Sequence, residues 1–316
     1  MTTSARRVVA AAFGGPENLT VEEVELPDPG PRQVRVEVRG AGVNPADVKR
    51  YAGPGDAARL PLVLGSEAAG VVTAVGEDAS DDVGPLAVGD EVIVFRASGA
   101  YATDLVVDDS ALTRKPASLD WPAAAGLMLA GATAVHTLEA TAVAAGDTVL
   151  VHGAAGGVGL FAVQLARLRG ARVIATANER NHDLLREFGA EPVTYGDGLA
   201  DRVRALVPGG VDVALDMVGA DEAMDVSLEL VPDRGRIATI ANFARGPREG
   251  VKLLGGGPGA DPGDELRMAA RPELARLAGT GELRVLVSAT YPLTDAADAH
   301  RQIATGHTTG KIILLP

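Results

Sequence analysis

The chain has 316 residues, 47% of them hydrophobic and 22% charged, enough to build one large domain or two ordinary ones and unlike a disordered chain. A formal charge of −13 argues against nucleic acid and anionic membrane surfaces as partners. With no cysteine, disulfides, thiolate metal sites and a cysteine nucleophile are excluded, and His136, His152, His182, His300 and His307 show no metal-ligand spacing. No apolar run is long enough for a membrane span, and the apolar stretch at residues 8–13 is too short for a secretory signal, so a cytoplasmic protein is expected.

In chain order, residues 21–26 and 33–38 alternate apolar and polar side chains as half-buried strands do, with a proline-rich break between them. Further strands are predicted at 69–75 and 90–95, punctuated by Gly65, Gly70, Gly76 and Gly89, which suggests a small barrel or sandwich over the first 120 residues. From Trp121 to about residue 145 the chain is alanine-rich and favours helix. Apolar strands predicted at 148–152, 172–176, 211–216 and 236–241 then alternate with helices at 158–169 and 182–188. That alternation implies a parallel sheet covered on both faces. Residues 255–259 read as a mobile glycine-rich loop. A strand at 286–289, a helix at 295–305 and a strand at 311–314 close the chain, and this tail is expected to return to the first domain.

The most informative segment is Val149-Leu-Val-His-Gly153-Ala-Ala-Gly156-Gly157-Val-Gly159. A strand enters a glycine turn and a helix follows at once. Such a turn lets the backbone approach a pyrophosphate, and the helix start supplies unpaired N–H donors. Against the pattern G-x-G-x-x-G, the first glycine is replaced by Ala154 while Gly156 and Gly159 keep the spacing. At the end of the next strand, where NAD-binding folds place a carboxylate for the ribose hydroxyls, this chain has Ala177. Thr176, Asn178 and Arg180 instead suit a 2′-phosphate, so NADPH is the favoured cofactor. Glu179 is the competing feature, because a shift of two residues would let it take the acidic role.

With these motifs in place, the whole chain resembles the medium-chain dehydrogenase/reductase superfamily, in its zinc-free quinone oxidoreductase branch. The resemblance rests on an ordered set: Gly42-Val-Asn44-Pro-Ala-Asp47, Leu64-Gly65-Ser66-Glu67-Ala-Ala-Gly70, Val88-Gly89-Asp90, Gly131-Ala-Thr133-Ala134, the glycine turn, Asp216-Met-Val-Gly219 and Gly310-Lys311. Where the zinc alcohol dehydrogenases carry metal-binding Cys and His, this chain has Asn44 and Ser66, so no metal is expected. The resemblance implies an α/β protein with a GroES-like β-barrel catalytic domain from residues 1–122 and 285–316 and a Rossmann domain from 123–284. It further implies Thr133 near the nicotinamide, Tyr195 near the adenosine phosphate, and the turn residues Ala155, Gly156, Gly157, Val158 and Gly159 on the pyrophosphate. Val218, Gly219, Ile240, Ala241, Asn242 and Lys311 would complete the cofactor path, with a homodimer formed through the Rossmann sheet edge.

Without a metal, hydride transfer relies on positioning and on stabilising charge that develops on the acceptor. A quinone or an α,β-unsaturated carbonyl suits this, since conjugation carries the charge to an oxygen. Asn44 reads equally as a donor to that oxygen or as a loop residue satisfying backbone groups before Pro45. Tyr51 is a candidate proton donor. Asp47 is a candidate catalytic residue, and with Glu67 reads as a carboxylate pair or as acceptors that orient neighbours. His136 reads as a packing histidine, and His152 as either a cofactor contact or a loop hydrogen-bonder. Two alternatives stand beside this reading: an enoyl-thioester reductase, for which Arg245 and Arg248 are the nearest phosphate-binding candidates, and an NADPH-binding sensor without turnover.

Overall fold

The first half forms antiparallel strands: β1 (Thr3–Ala10), β2 (Leu19–Leu26), β3 (Gln33–Val43), β4 (Leu62–Val63), β5 (Glu67–Val75), β6 (Glu91–Phe95), β7 (Asp104–Asp108) and β8 (Leu112–Arg114), the four expected stretches among them as β2, β3, β5 and β6. The parallel strands are β9 (Thr148–His152), β10 (Arg172–Thr176), β11 (Glu191–Val193), β12 (Val213–Asp216), β13 (Ile237–Thr239) and β14 (Lys252–Leu253), and the tail adds β15 (Val287–Pro292) and β16 (Lys311–Leu315). The structure is a computed structural model that describes residues 3–316. Two units divide the chain, one running to Leu129 and resuming over Arg271–Pro316, the other Ala130–Ala270.

The first unit is the GroES-like barrel. One sheet runs β15-β16-β3-β5-β6-β8 with β7 also paired to β3, and a second runs β2-β1-β4. Long β3 is its spine: Val34, Val36 and Val38 point into the core while the residues between them are half-buried. Past Val38 the alternation stops, and Gly40, Ala41, Gly42 and Val43 are all buried, because β16 and a short helix (Trp121–Ala125) cover that end. The tail therefore returns to the first unit, with Ile312 opposite Val43 and Leu314 opposite Ala41. This register delivers Lys311 to the end of β3, beside Asn44.

The expected domain limits at 122/123 and 284/285 differ from the observed ones at 129/130 and 270/271. The alanine-rich stretch splits into two helices, Trp121–Ala125 and Met128–Ala140, and the first lies on β3, where Gly40 would bring a Cβ to 3.2 Å from that of Ala125. The helix Arg271–Thr280 is tied to the same unit by Arg271 donating to the Leu112 carbonyl (3.1 Å) and Ser118 donating to that of Gly279 (2.7 Å).

The second unit is a Rossmann fold. Its sheet is parallel throughout, ordered β11-β10-β9-β12-β13-β14, so strands are added first on one side of β9 and then on the other. Its strands are near-continuous apolar runs, as burial on both faces requires. The glycine-rich loop at 255–259 is held in place: the Asp261 N–H donates to the Leu253 carbonyl (2.9 Å) and its carbonyl accepts from Gly255 (2.8 Å). Those contacts occupy the outward-facing groups of the edge strand β14. The Asp261 carboxylate also meets His136 Nε2 at 3.2 Å, whose Nδ1 accepts from Arg267 at 3.2 Å. His136 is thus a buried packing histidine with a further task, anchoring this loop.

Candidate active site

In the second unit, His152, Thr176, Asp216 and Thr239 end β9, β10, β12 and β13 in one register row. The loops that follow all leave from the carboxyl edge, which is where open parallel sheets bind ligands. The first is the glycine turn, in which the Gly153 carbonyl accepts from Gly156 N (3.1 Å) and φ at Gly153 is +69°. Helix Gly157–Leu168 starts directly after it, with Gly156 at the N-cap and no side-chain cap. A Cβ on Gly159 would lie 2.3 Å from the Gly153 carbonyl oxygen, so only glycine permits the helix to sit this close to the turn.

Asp216 builds two of the other loops. Its Oδ1 accepts from Val218 N (2.9 Å) and Gly219 N (2.8 Å), and its Oδ2 from the Thr239 hydroxyl (2.7 Å). The Thr239 oxygen in turn accepts from Ala241 N (3.2 Å) and Asn242 N (2.9 Å). The sequence reading missed Thr239, although its place at the end of an apolar strand is a usable signal. Thr133, Thr176 and Asn242 are buried, while Asn178, Arg180, Tyr195 and Val218 are exposed. Asn178 caps a short 3₁₀ turn by accepting from Arg180 N, and Glu179, the first residue of that turn, is exposed. These residues suit a dinucleotide: an uncapped helix start beside Cβ-free backbone, and a β10 end that carries Thr176 and Ala177 where a ribose-binding carboxylate would stand.

His152 lies beneath this edge. Its Nε2 is 3.2 Å from Ser227 Oγ, which donates to the Ala223 carbonyl, so the ring donates from Nε2 and accepts at Nδ1 from Thr176 (3.4 Å). Burial pushes its pKa down to about 4, against the opposing pull of Asp216.

In the barrel unit, one buried polar cluster gathers Asn44, Asp47, Glu67 and Lys311. The Lys311 ammonium donates to Asn44 Oδ1 (2.5 Å) and Glu67 Oε1 (2.9 Å) and approaches the Val43 carbonyl at 3.4 Å. Lys311 was expected on the cofactor path; its charge instead pairs with Glu67, and it is 4% exposed. The Asn44 amide donates to Glu67 Oε1 (3.0 Å) and the Gly42 carbonyl (3.2 Å). Both of its N–H bonds are thereby used, so the expected donation to a substrate carbonyl has no hydrogen left to make it. Glu67 Oε2 accepts from Leu129 N at 2.8 Å. The carboxylate reaches this position because residue 42 is glycine: a Cβ there would lie 2.4 Å from Glu67 Oε1.

Asp47 accepts from Asn44 N (3.0 Å), Ser66 Oγ (3.1 Å) and Tyr101 Oη (2.9 Å). Asp47 and Glu67 therefore orient their neighbours rather than form a carboxylate pair. Burial raises the Asp47 carboxyl above its ordinary range against these hydrogen bonds. Tyr51 is fully buried, and its hydroxyl donates to His300 Nδ1 (2.8 Å), while His300 Nε2 lies 3.2 Å from Tyr101 Oη. Tyr101 and His300 carry no motif and stand 54 and 253 residues from Asp47 in sequence, so only the fold brings them together. Burial pushes the His300 imidazole down to about 4 and the Tyr51 phenol up to about 12.

The two buried neutral histidines set an acid limit. Their folded pKa values of about 4 lie below the ordinary 6.5, so the unfolded chain takes up protons first as pH falls. Their contribution is full above pH 6.5 and is lost between about 6.5 and 4, on the order of 3 kcal/mol for each. Asp47, with its raised pKa, works in the opposite direction. Melting temperature is expected to drop steadily over this window, and a flat profile from pH 6.5 to 5 would show that the imidazoles are not buried neutral.

Comparison with known proteins agrees with both units. Residues 30–117 match the family described as an alcohol dehydrogenase GroES-like domain, and residues 188–314 that described as a zinc-binding dehydrogenase. A quinone oxidoreductase of Pseudomonas aeruginosa is 37% identical over 99% of this chain and 100% of its own length. A 2-haloacrylate reductase of a Burkholderia species is 35% identical over 96% of each chain. The structure of Escherichia coli quinone oxidoreductase complexed with NADPH matches with a TM-score of 0.84 at 29% identity, covering 98% of this chain and 100% of that one. Fold and relatives together define an oxidoreductase with a two-unit medium-chain dehydrogenase/reductase architecture. Within that superfamily, the chain belongs to the zinc-free quinone oxidoreductase branch.

Proposed function

We propose that this oxidoreductase passes hydride from NADPH to a quinone or to the activated alkene of a small α,β-unsaturated carbonyl, without a metal ion. The observation that carries the reading is the pair of substitutions at the barrel site. By the resemblance to the zinc alcohol dehydrogenases, Asn44 and Ser66 stand where zinc ligands would, and the Asn44 amide is bonded to Lys311 and Glu67 rather than left to ligate. An acceptor that delocalises its own incoming charge needs no Lewis acid. The relatives named as a quinone oxidoreductase and a 2-haloacrylate reductase act on such conjugated acceptors.

For the cofactor, the glycine turn and the loops at 217–219 and 240–242 hold the dinucleotide, with Thr133 at the nicotinamide end and Tyr195 at the adenosine end. Bound there, NADPH supplies the hydride. Ala177 puts no carboxylate at the 2′-position, and Thr176, Asn178 and Arg180 contact the phosphate. Replacing Arg180 by alanine is expected to weaken NADPH about 10- to 100-fold while leaving NADH within about twofold, as loss of a charge-assisted phosphate contact predicts. Fluorescence titration with both nucleotides checks this. Equal effects on the two would move the ribose contact to Glu179.

Of the two arginines named for the enoyl-thioester alternative, Arg245 is held by Asp225 (2.5 Å) and Glu249 (3.0 Å) with Asp221 at 3.7 Å, while Arg248 is exposed. No described helix is long and apolar enough to cross a membrane, and a cytoplasmic location is retained as part of this reading. So is a homodimer, with the restriction that pairing along β14 requires Asp261 to leave Leu253 and Gly255. The test of function is oxidation of NADPH and NADH with quinones, enones and saturated aldehydes. Turnover of quinones or enones with NADPH supports the proposal. Turnover of aldehydes overturns the metal-free mechanism, and tight NADPH binding with no turnover of any acceptor supports the sensor alternative.

A further inference from the structure

The polar cluster in the barrel unit is larger than its ion pair requires. Beyond Asn44, Glu67 and Lys311, it continues through Asp47, Tyr101, His300 and Tyr51, all of them buried. A chain of buried hydrogen-bonding groups is costly unless every member is satisfied. Here one assignment of hydrogens satisfies the connected atoms. Tyr51 donates to His300 Nδ1, His300 donates from Nε2 to the Tyr101 oxygen, and Tyr101 donates to Asp47 Oδ2. That leaves Asp47 Oδ1, whose partner is Ser66 Oγ at 3.1 Å.

Ser66 differs from the rest of the chain in one respect: it is only partly buried. It is thus the point at which this buried network meets the surface of the barrel unit. Its hydroxyl also has two settings. When Asp47 is a carboxylate, the Ser66 hydrogen points inward to Oδ1. When Asp47 carries a proton on Oδ1, that proton points to Ser66 Oγ, and the serine hydrogen is free to point outward.

We propose that Ser66 is the proton donor of the reduction, delivering its hydroxyl proton to the substrate oxygen and being resupplied by the Asp47 carboxylic acid. This rests on the hydride-transfer reading above. Hydride addition brings one hydrogen and two electrons to the acceptor and leaves negative charge on its oxygen. The Ser66 O–H bond breaks as the new substrate O–H bond forms, and the Asp47 proton moves from Oδ1 to Ser66 Oγ. The resulting Asp47 carboxylate takes a proton from water before the next turnover, so each cycle consumes one hydride and one proton. Tyr101, His300 and Tyr51 are positioning residues that aim Asp47 at the serine. Burial of Asp47 raises its carboxyl pKa and so favours the acid form that the step needs. This assignment gives the role expected of Asn44 and Tyr51 to a residue whose hydrogen is released whenever Asp47 is protonated on Oδ1.

The test compares wild type, Ser66→Ala and Ser66→Thr in steady-state NADPH oxidation with a naphthoquinone, alongside NADPH affinity by fluorescence titration. Ser66→Ala is expected to lower kcat about 100-fold with the acceptor KM and NADPH affinity little changed, since general-acid steps contribute roughly 10²–10⁴-fold. Ser66→Thr, which keeps a hydroxyl, recovers most of that loss. Wild type shows a normal solvent deuterium isotope effect on kcat. An alanine variant with wild-type kcat, or one whose loss lies wholly in KM, overturns the assignment while leaving the proposed function intact. A wild-type protein that binds NADPH but reduces no acceptor overturns both.

Discussion

Replacing Lys311 by methionine lowers the unfolding free energy of the barrel unit by about 3–5 kcal/mol, the usual consequence of leaving one partner of a buried ion pair without the other. Methionine matches the length of the side chain, so packing is roughly preserved and the change isolates the charge. Glu67 is wholly buried, and Lys311 Nζ, at 2.9 Å from Oε1, is its charge partner. What remains for the carboxylate is Asn44 Nδ2 and Leu129 N, two neutral donors that do not offset desolvation of a full charge. Gly42 lies close against the carboxylate and Glu67 is wholly buried, so the group has little room to turn toward water. Adding Glu67→Gln to Lys311→Met removes the stranded charge and is expected to restore a large part of the loss. Urea unfolding followed by tryptophan fluorescence reads this directly, because the sole tryptophan, Trp121, belongs to this unit. A single variant within about 1 kcal/mol of wild type would mean that the ion pair carries no stability, and it would lose its place in the account of the site.

The same residues show what a sequence yields and where it stops. The central Rossmann strands β9, β10, β12 and β13 were legible because burial on both faces demands unbroken apolar runs, and these four were predicted to within about two residues. The glycine turn was legible because its chemistry is local. By contrast β1, which alternates less clearly than β2, was not predicted, nor were the short strands β4, β7, β8, β11 and β14. Their existence depends on neighbours remote in sequence. At the site, Asn44 and Asp47 were singled out from one short motif and Tyr51 as a nearby tyrosine, and the fold joins all three in one hydrogen-bonded cluster. Their roles were not legible, because those depend on which hydrogens are already committed. Asn44 is engaged by Glu67 and Gly42, and Tyr51 by His300, a residue 249 positions away. The Lys311 side chain has the same lesson. It lies in a terminal Gly-Lys motif, but its direction is set by the antiparallel register of β16 on β3. Ser66 was noted only for the histidine it lacks, and its own hydroxyl gained meaning once the geometry of Asp47 was known.

Two neighbouring glycines in the turn after β9 are expected to respond differently to alanine, and the difference tests whether phosphate approaches this backbone. Gly159→Ala places a methyl 2.3 Å from the Gly153 carbonyl oxygen and 2.7 Å from Ala154 Cα, both backbone atoms that no rotamer change can move. The helix start must shift or the turn must open, so the variant is expected to lose stability and NADPH affinity together. A displacement of about 1 Å in a positioned site costs on the order of 100-fold. Gly156 is another matter. Its φ of −72° suits any residue, and its nearest neighbour to an added Cβ is the Gly153 carbonyl oxygen at 3.4 Å, an ordinary contact. Gly156→Ala should therefore melt within about 2 °C of wild type, as a surface change without strain does. Its methyl nevertheless projects at the N-cap of the helix whose free N–H groups would face a pyrophosphate. If the cofactor lies there, affinity falls about tenfold or more, some 1.4 kcal/mol, with the fold unchanged. If Gly156→Ala binds NADPH as wild type does while Gly159→Ala is merely unstable, the glycines serve only the packing of the helix on β9, and the dinucleotide site must be sought elsewhere on the carboxyl edge.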